Sequence, residues 1–531
     1  MNLGIRVKSL EIPANKRDSQ IYILKTSFPV QGYILVLFAA AALYILTCAP
    51  GVLWQDSGLI QYRVLHNDIE GKLGLALSHP LYYLIVIPFK YIKIDAFAYR
   101  INCANAIISA FAIANFFLLL RLWLGENYPA LLGAATLALS HTFWLHSTMP
   151  ETYGLVIALL LLELVMLLQY ARTSKKKYLY LLAFINGLSI ANHMMASIAL
   201  TCYFVFVITL VVKKQLKVRH IFVMALLWMI GAIPYEYLIV KNIIATHDIA
   251  GTFASAMFGN KWESAVLNTS ITLPLMKDNF LYLILNFPTP NILFIFVGVW
   301  YIYKVSPQKW FATIIITLTV LYYIFAFRYT VPDRYAFFIP FYCMLSIFIG
   351  IGVFSYLLES NGSHTVLFVI FCLVVVPVYI KAPEIAEGLD FKVGSGRRIP
   401  FRNDAEYFLH PWKMDVKDRM NSNDAEQFAL QALISVESPA IIYADSTTAP
   451  PLLLVQELFN FSRKDDIKII SSIGTTEGAP QFNEHTIDEL FSKRNIYVVS
   501  NIKGYCPDFL LDRERYKFKS ERVLWKAEKK E

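Results

Sequence analysis

Residues 151–170 read ETYGLVIALLLLELVMLLQY, and residues 171–177 continue ARTSKKK. The first stretch has the length and apolarity of a membrane-crossing helix, which needs about 20 such residues. The second carries Arg172, Lys175, Lys176 and Lys177, and basic residues flanking a span stay on the cytoplasmic side. The same alternation runs outward in both directions. Apolar runs at 30–49, 97–120, 128–146, 151–170, 178–192, 195–212, 220–241, 280–303, 310–327, 334–358 and 365–381 predict about eleven transmembrane helices. The predicted fold class is mainly α, a polytopic transmembrane helical domain followed by a small soluble α/β domain. Residues 1–29 form a cytoplasmic N-terminal segment, 30–381 the membrane domain, with a first outer loop at about 50–96, and 382–531 the soluble domain.

Composition agrees. Of the 531 residues 56% are hydrophobic and 16% charged, against about a quarter charged in an ordinary soluble domain. The net charge of +9 comes from basic clusters between apolar runs, where topology demands them, so no nucleic-acid partner is expected. Cys48, Cys103, Cys202, Cys343 and Cys372 lie in or beside apolar runs, and Cys506 is alone in the tail. Their spacing gives no disulfide framework.

The charges fix an orientation. Arg6, Lys8, Lys16, Arg17 and Lys25 precede the first span, Arg121 follows the second, Lys213, Lys214, Lys217 and Arg219 follow the sixth, and Lys304 and Lys309 flank a later connection. All fall on one side, the cytoplasm, if the spans are those above. An odd number of spans then places 382–531 outside. Residues 79–94 are short and interrupted by Pro80 and Pro88, and they read as an interfacial or re-entrant helix. Residues 178–212 read as a tight hairpin turning near Asn192 and His193.

This topology gathers scattered polar residues on the outer face. They include Asp56, Arg63, His66 and His79 from the first loop, Glu151, His193, and Arg328, Asp333 and Arg334. Asp56 fits a general base taking a proton from an acceptor hydroxyl, or a helix N-cap ahead of Ser57 and Gly58. Glu151 fits a second site acid or a first-turn acid complementing a helix dipole. His79 and His193 fit substrate binding, or an interfacial and a turn histidine. Arg328 and Arg334 suit phosphate binding, or anchoring to lipid headgroups. His141 and His146 are five apart, poor for one helical face, and no metal site is expected.

The runs Trp54-Gln55-Asp56-Ser57-Gly58, Leu73-Gly74 and Ser78-His79-Pro80-Leu81-Tyr82 carry a further signal. So do Tyr99-Arg100-Ile101-Asn102, Thr142-Phe143-Trp144, Pro150-Glu151-Thr152-Tyr153-Gly154 and Gly187 to His193. Their order resembles a domain-of-unknown-function family related to protein O-mannosyltransferases, within the GT-C glycosyltransferase superfamily. The likeness covers roughly residues 30–215, and Leu59 and Leu81 depart from the family pattern. It implies a GT-C-like membrane domain and an inverting glycosyltransferase that uses a polyprenyl-phosphate sugar on the extracytoplasmic face. Asp56 would be the base and Glu151 the second acid, with His79, Tyr82, His193, Arg328 and Arg334 around the substrates. The expected partners are membrane lipid, the lipid-linked donor and a protein or glycan acceptor. No tightly bound cofactor is expected, and any metal requirement stays open. On family grounds the membrane is a bacterial cytoplasmic membrane. The other readings are a transporter or flippase for a lipid-linked intermediate, which Pro288 and Pro290 inside one span would suit, and a non-catalytic binding protein of the same fold.

In the tail, 439–445, 467–471 and 495–500 read as buried strands, with helices at 451–459 and 487–493 between them. That alternation predicts a small parallel α/β unit. Asp445 ends the first strand and reads as a turn former or a site residue.

Overall fold

The computed structural model describes residues 28–259, 263–266, 268–331, 333–359, 364–388, 407, 410–413, 424–461, 466–503 and 505–530. The basic N-terminal segment expected in the cytoplasm lies, up to residue 27, outside the described residues. The helices begin with α1 (Val30–Thr47), α2 (Gln55–Leu65), α3 (Pro80–Val86), α4 (Phe97–Leu124), α5 (Asn127–Ala138), α6 (His141–Ser147) and α7 (Tyr153–Thr173). Next come α8 (Lys177–Asn192), α9 (Ala196–Val212), α10 (Arg219–Thr246), α11 (Ile249–Phe258), α12 (Glu263–Val266), α13 (Leu273–Asn286) and α14 (Phe294–Val305). The membrane part ends with α15 (Lys309–Arg328), α16 (Ile339–Glu359), α17 (Thr365–Leu373) and α18 (Val375–Gly388).

Among the described residues, α1, α4, α7, α10, α15 and the stretch Arg334–Leu358 are each long and apolar enough to cross a membrane. The chain is an integral membrane protein. The run 128–146 is divided between α5 and α6, and 365–381 between α17 and α18. The run 280–303, expected as one span, is not straight. Helix α13 and the segment Pro290–Val305 are bent by 110°. Pro288 and Pro290 follow the end of α13, and a proline ring supplies no N–H and clashes with the preceding turn.

Two spans owe their close approach to glycine. On α8, a Cβ at Gly187 would lie 3.0 Å from the Ala232 nitrogen of α10, and one at Gly231 would lie 2.9 Å from the Leu188 nitrogen. The same helices share a buried polar group that the sequence reading did not single out. Glu163, midway along α7, accepts from Ser189 Oγ (2.5 Å) and Asn186 Nδ2 (3.2 Å), while Trp228 Nε1 donates to Asn186 Oδ1 (3.0 Å). Small residues and shared hydrogen bonds hold membrane helices where no hydrophobic drive exists between them.

The connections sort to two ends. At one, Trp123 donates to the Val305 carbonyl, Arg172 to the Trp123 carbonyl, and Tyr180 bonds His220. These are neighbours of the basic clusters. At the other lie the 48–96 loop, the turns after α6 and α8, the loop after α15, and the tail, which bonds them directly. Lys413 N–H donates to Thr47, Thr148 Oγ1 to Pro411 and Gln55 N–H to Thr447.

The tail has helices α19 (Asp424–Ser435), α20 (Ala449–Leu458) and α21 (Ile487–Lys493), and strands β1 (Ala440–Tyr443), β2 (Ile467–Ile470), β3 (Asn495–Val498), β4 (Tyr516–Glu521) and β5 (Leu524–Lys529). The sheet order is β2-β1-β3-β5-β4. As predicted, β1 runs parallel to β2 and β3. The antiparallel hairpin β4–β5 extends the sheet beyond β3 and makes it mixed. Helices α19 and α20 cover one face, and α21 packs on the other.

Replacing Gly231 with leucine should force α8 and α10 apart. Overpacking costs about 1–3 kcal/mol, so the variant in detergent should melt several degrees below the parent chain, and an unchanged melting temperature would refute the close contact.

Candidate active site

The strap 48–54 between α1 and α2 has no regular structure, so its buried carbonyls need partners from elsewhere. Asn102, in the second turn of α4, donates to the carbonyls of Ala49 (2.7 Å) and Gly51 (3.1 Å). Gln61 of α2 donates to Gly51 (3.1 Å) and to Asn102 Oδ1 (2.7 Å), and accepts from the Leu53 N–H (3.1 Å). Both side chains are fully buried. One turn along α4, Asn105 donates to the carbonyls of His146 (2.7 Å) and Met149 (2.5 Å) and accepts from the Tyr82 hydroxyl (3.1 Å). Two asparagines spaced i, i+3 share a helix face, and here they hold the strap before Asp56 and the turn before Glu151.

Helix α2 is gripped from both sides. Ile60 and Val64 pack into the bundle, and Leu59, Tyr62 and Leu65 pack against the tail core. Leu59, one of the two departures from the family pattern, is therefore a docking residue. A Cβ at Gly58 would run into the Leu53 carbonyl and lie 3.1 Å from Pro450 Cβ. At the far end of α2, His66 meets Glu457 at 3.0 Å.

Asp56 sits in the first turn of α2, whose N-cap is Trp54, so it is not the cap. Asp56 is exposed on one side, but protein crowds its others. Loss of water, and next the charge of Asp333, raise its carboxyl to about 7. Glu151 accepts from Ser57 Oγ at 2.9 Å. Burial first, then Asp56, push its pKa well above the usual carboxylate range, against the lowering effect of Ser57. Burial likewise raises Asp333. The charges of Asp56 and Asp333 thus act on Glu151, and that of Asp333 on Asp56. Like charges crowded together favour protonation. Among the described residues no three or more His, Cys, Asp or Glu side chains converge as a metal site.

His79 and His193 stack with ring centroids 4.9 Å apart. Nδ1 of His79 faces the Asn192 carbonyl at 2.7 Å and so carries the proton, leaving Nε2 as an acceptor. Nδ1 of His193 accepts from the Met195 N–H at 3.1 Å, which places its proton on Nε2. Burial lowers His79 to about 4, so it is neutral near pH 7 and acts as a hydrogen-bonding group rather than a cation. His79 holds φ of 50°, a left-handed conformation costly for such a side chain. Tyr153 and Phe337 border the pair. Tyr335 stacks on Tyr407 at 4.0 Å, with Tyr282 beside both.

Of the other predicted residues, Tyr82 is fully buried behind the site, with its hydroxyl on Asn105. Arg334 pairs with Asp278 at 3.1 Å and lies over the Tyr282 ring. Arg328 donates to the carbonyls of Val266 (2.6 Å) and Asn268 (2.8 Å). Arg63 is buried over Tyr83 and donates to the Ser78 carbonyl (3.0 Å), which fixes the loop before His79. Asp445 accepts from the N–H and hydroxyl of Thr448, as a turn former does. Sequence reasoning gave no role to Asn105, Gln61 or Ser57. A polar amide at i, i+3 inside an apolar run was the available signal for the pair Asn102 and Asn105.

Residues 77–219 match the family model described as the Protein O-mannosyl-transferase TMEM260 N-terminal domain. No curated protein matches by sequence. Among solved structures the chain is similar to ArnT from Cupriavidus metallidurans, crystallised bound to undecaprenyl phosphate. That match has a TM-score of 0.54 at 11% identity and covers 94% of this chain and 98% of that one. The expected resemblance is thus met in two ways: residues 77–219 are similar to the N-terminal domain of a protein O-mannosyl-transferase family, and the chain as a whole shares the fold of ArnT.

Proposed function

We propose that this chain is a glycosyltransferase that moves a sugar, with inversion, from a polyprenyl-phosphate donor to an acceptor hydroxyl on the extracytoplasmic face. The observation that supports this is that Glu151 accepts from Ser57, next to Asp56, that the charges of Asp56 and Asp333 reach Glu151, and that the charge of Asp333 reaches Asp56. Asp56 takes the acceptor proton as its oxygen attacks the anomeric carbon, and the lipid phosphate leaves from the opposite side. A base raised to about 7 is matched to neutral pH. Glu151, tied to Ser57 beside Asp56, holds the acceptor side. The neutral pair His79 and His193 offers one acceptor and one donor to sugar hydroxyls. Arg334, which keeps further N–H donors, meets the phosphate, and Arg328 braces the loop after α15. The family match supports mannose as the first donor to try and protein hydroxyls as the first acceptors. The orientation rests on the basic connections gathered at the end opposite the tail, as in a bacterial cytoplasmic membrane.

The bend between α13 and α14 is a feature a flippase would share. Asp56, Glu151 and Asp333 lie at the end of the bundle, whereas Glu163 halfway along it is taken up by Ser189 and Asn186, which favours transfer.

With polyprenyl-phosphate mannose in vesicles, Asp56→Asn should lower the transfer rate by about 10²-fold or more while donor binding persists. Near-parental transfer would remove Asp56 from the role of base. The parental rate should fall as pH drops through about 7, where Asp56 gains its proton. Asp333→Asn removes a negative neighbour, makes Asp56 easier to ionise and should move that acid limb to lower pH. A limb that stays put or moves up would contradict the coupling. Asn105→Ala frees the His146 and Met149 carbonyls and the Tyr82 hydroxyl. It should cost about 1–3 kcal/mol of stability and slow transfer with little change in the pH profile, as a positioning residue would.

A further inference from the structure

Two cysteines that are 55 residues apart in sequence meet where the strap leaves the first span. Cys48 Sγ and Cys103 Sγ are 3.7 Å apart. Cys48 caps the C-terminus of α1 and is fully buried, and Cys103 lies near the start of α4 and is half-buried. Their backbones are already held together. Asn102, next to Cys103, grips the carbonyl of Ala49, next to Cys48. The sulfurs need to close by only about 1.7 Å to reach a bond of about 2.05 Å, a distance within reach of side-chain rotation. The remaining four cysteines are buried singly, Cys202 and Cys343 in the bundle, Cys372 beside Thr136 and Asn291, and Cys506 in the tail.

We propose that Cys48 and Cys103 form a disulfide in the mature protein, locking α1 to α4 at the start of the strap that leads to Asp56. The pair lies at the tail end of the bundle, assigned above to the extracytoplasmic side, where disulfides persist. The inference rests on that sidedness and not on sugar transfer. The oxidant is a dithiol–disulfide carrier protein. The Cys103 thiolate, on the accessible side, attacks a carrier sulfur, breaks the carrier S–S bond and forms a mixed disulfide. The Cys48 thiolate then attacks Cys103 Sγ and expels the carrier. Two protein thiols are oxidised, the carrier disulfide is reduced, and the two protons released end on the carrier thiols.

The test uses the full-length chain, made in cells with an oxidising compartment outside the cytoplasmic membrane and denatured with a thiol-alkylating maleimide. Without reductant four of the six cysteines should be alkylated, and after reduction all six. The peptides holding Cys48 and Cys103 should appear as one linked species, lighter by two hydrogen atoms than the sum of its parts. Six alkylated thiols without reductant, or a link between other cysteines, would overturn the proposal. The Cys48→Ser variant separates the causes of failure. There, Cys103 should react in intact cells with a membrane-impermeant maleimide. If it does so while the parental pair stays reduced, the disulfide is refuted and the sidedness stands. If it is unreactive in intact cells and reactive in opened ones, the sidedness is refuted and the disulfide with it.

Discussion

The structure turns on helix α2 being held between two bodies. Ile60 and Val64 face the membrane bundle, and Leu59, Tyr62 and Leu65 face the tail. A helix with one apolar stripe buries one side; α2 packs on two and carries its exposed residue, Asp56, in its first turn. The position of Asp56 is thus set by the bundle, by the tail and by the amide clasp of Asn102 and Gln61 on the strap. Removing any of these three supports would let the carboxylate wander, and in the role proposed for Asp56 a displacement of about 1 Å would cost roughly 10²-fold in rate.

Holding three carboxylates together in restricted water is unfavourable, and the cost falls on the same helix. Asp56 and Asp333 raise the affinity of Glu151 for protons, and Asp333 raises that of Asp56. The left-handed His79 adds backbone strain. Such conflicts persist where the surrounding structure over-determines the geometry. Here the surroundings are the double grip on α2, the Asn105 bonds to the 146–149 turn and the Arg63 bonds to the loop before His79. Stabilising features cluster around destabilising ones, the pattern of a site whose groups are set in advance.

The fold was largely legible because a bilayer leaves few options. A run such as 151–170 has to be a helix, and the basic residues after it have to share a side. The tail strands were legible as short apolar runs broken by turns. What sequence hid was of two kinds. The hairpin β4–β5 interleaves few apolar residues with lysine and glutamate, YKFKSE in β4 and LWKAEK in β5, so its apolar content is low for a strand signal. The bend after α13 was visible as Pro288 and Pro290, but prolines state that a helix ends and not where the chain goes next. For the candidate site, Asp56, Glu151, His79 and His193 stood out in the sequence as polar residues at span ends. The supports did not, because Asn102, Asn105 and Gln61 act through carbonyls up to 53 residues away, and no local pattern records a long-range partner.

The same reasoning explains why the tail belongs to the site. A soluble domain merely tethered to a membrane protein would touch it through a polar, wet contact. This one lends Leu452 and Phe428 to a core that also contains Val52 and Trp54 from the strap. It also accepts the Gln55 N–H at the start of α2 through Thr447. Trp54 packs on Phe428 with centroids 5.2 Å apart, so the residue two before Asp56 is buried by the tail itself. Without that burial the N-terminal turn of α2 would lose both an apolar anchor and a backbone partner. The tail is then part of what holds α2 rather than an appendage, and Asp56 stands on a helix packed between it and the membrane bundle.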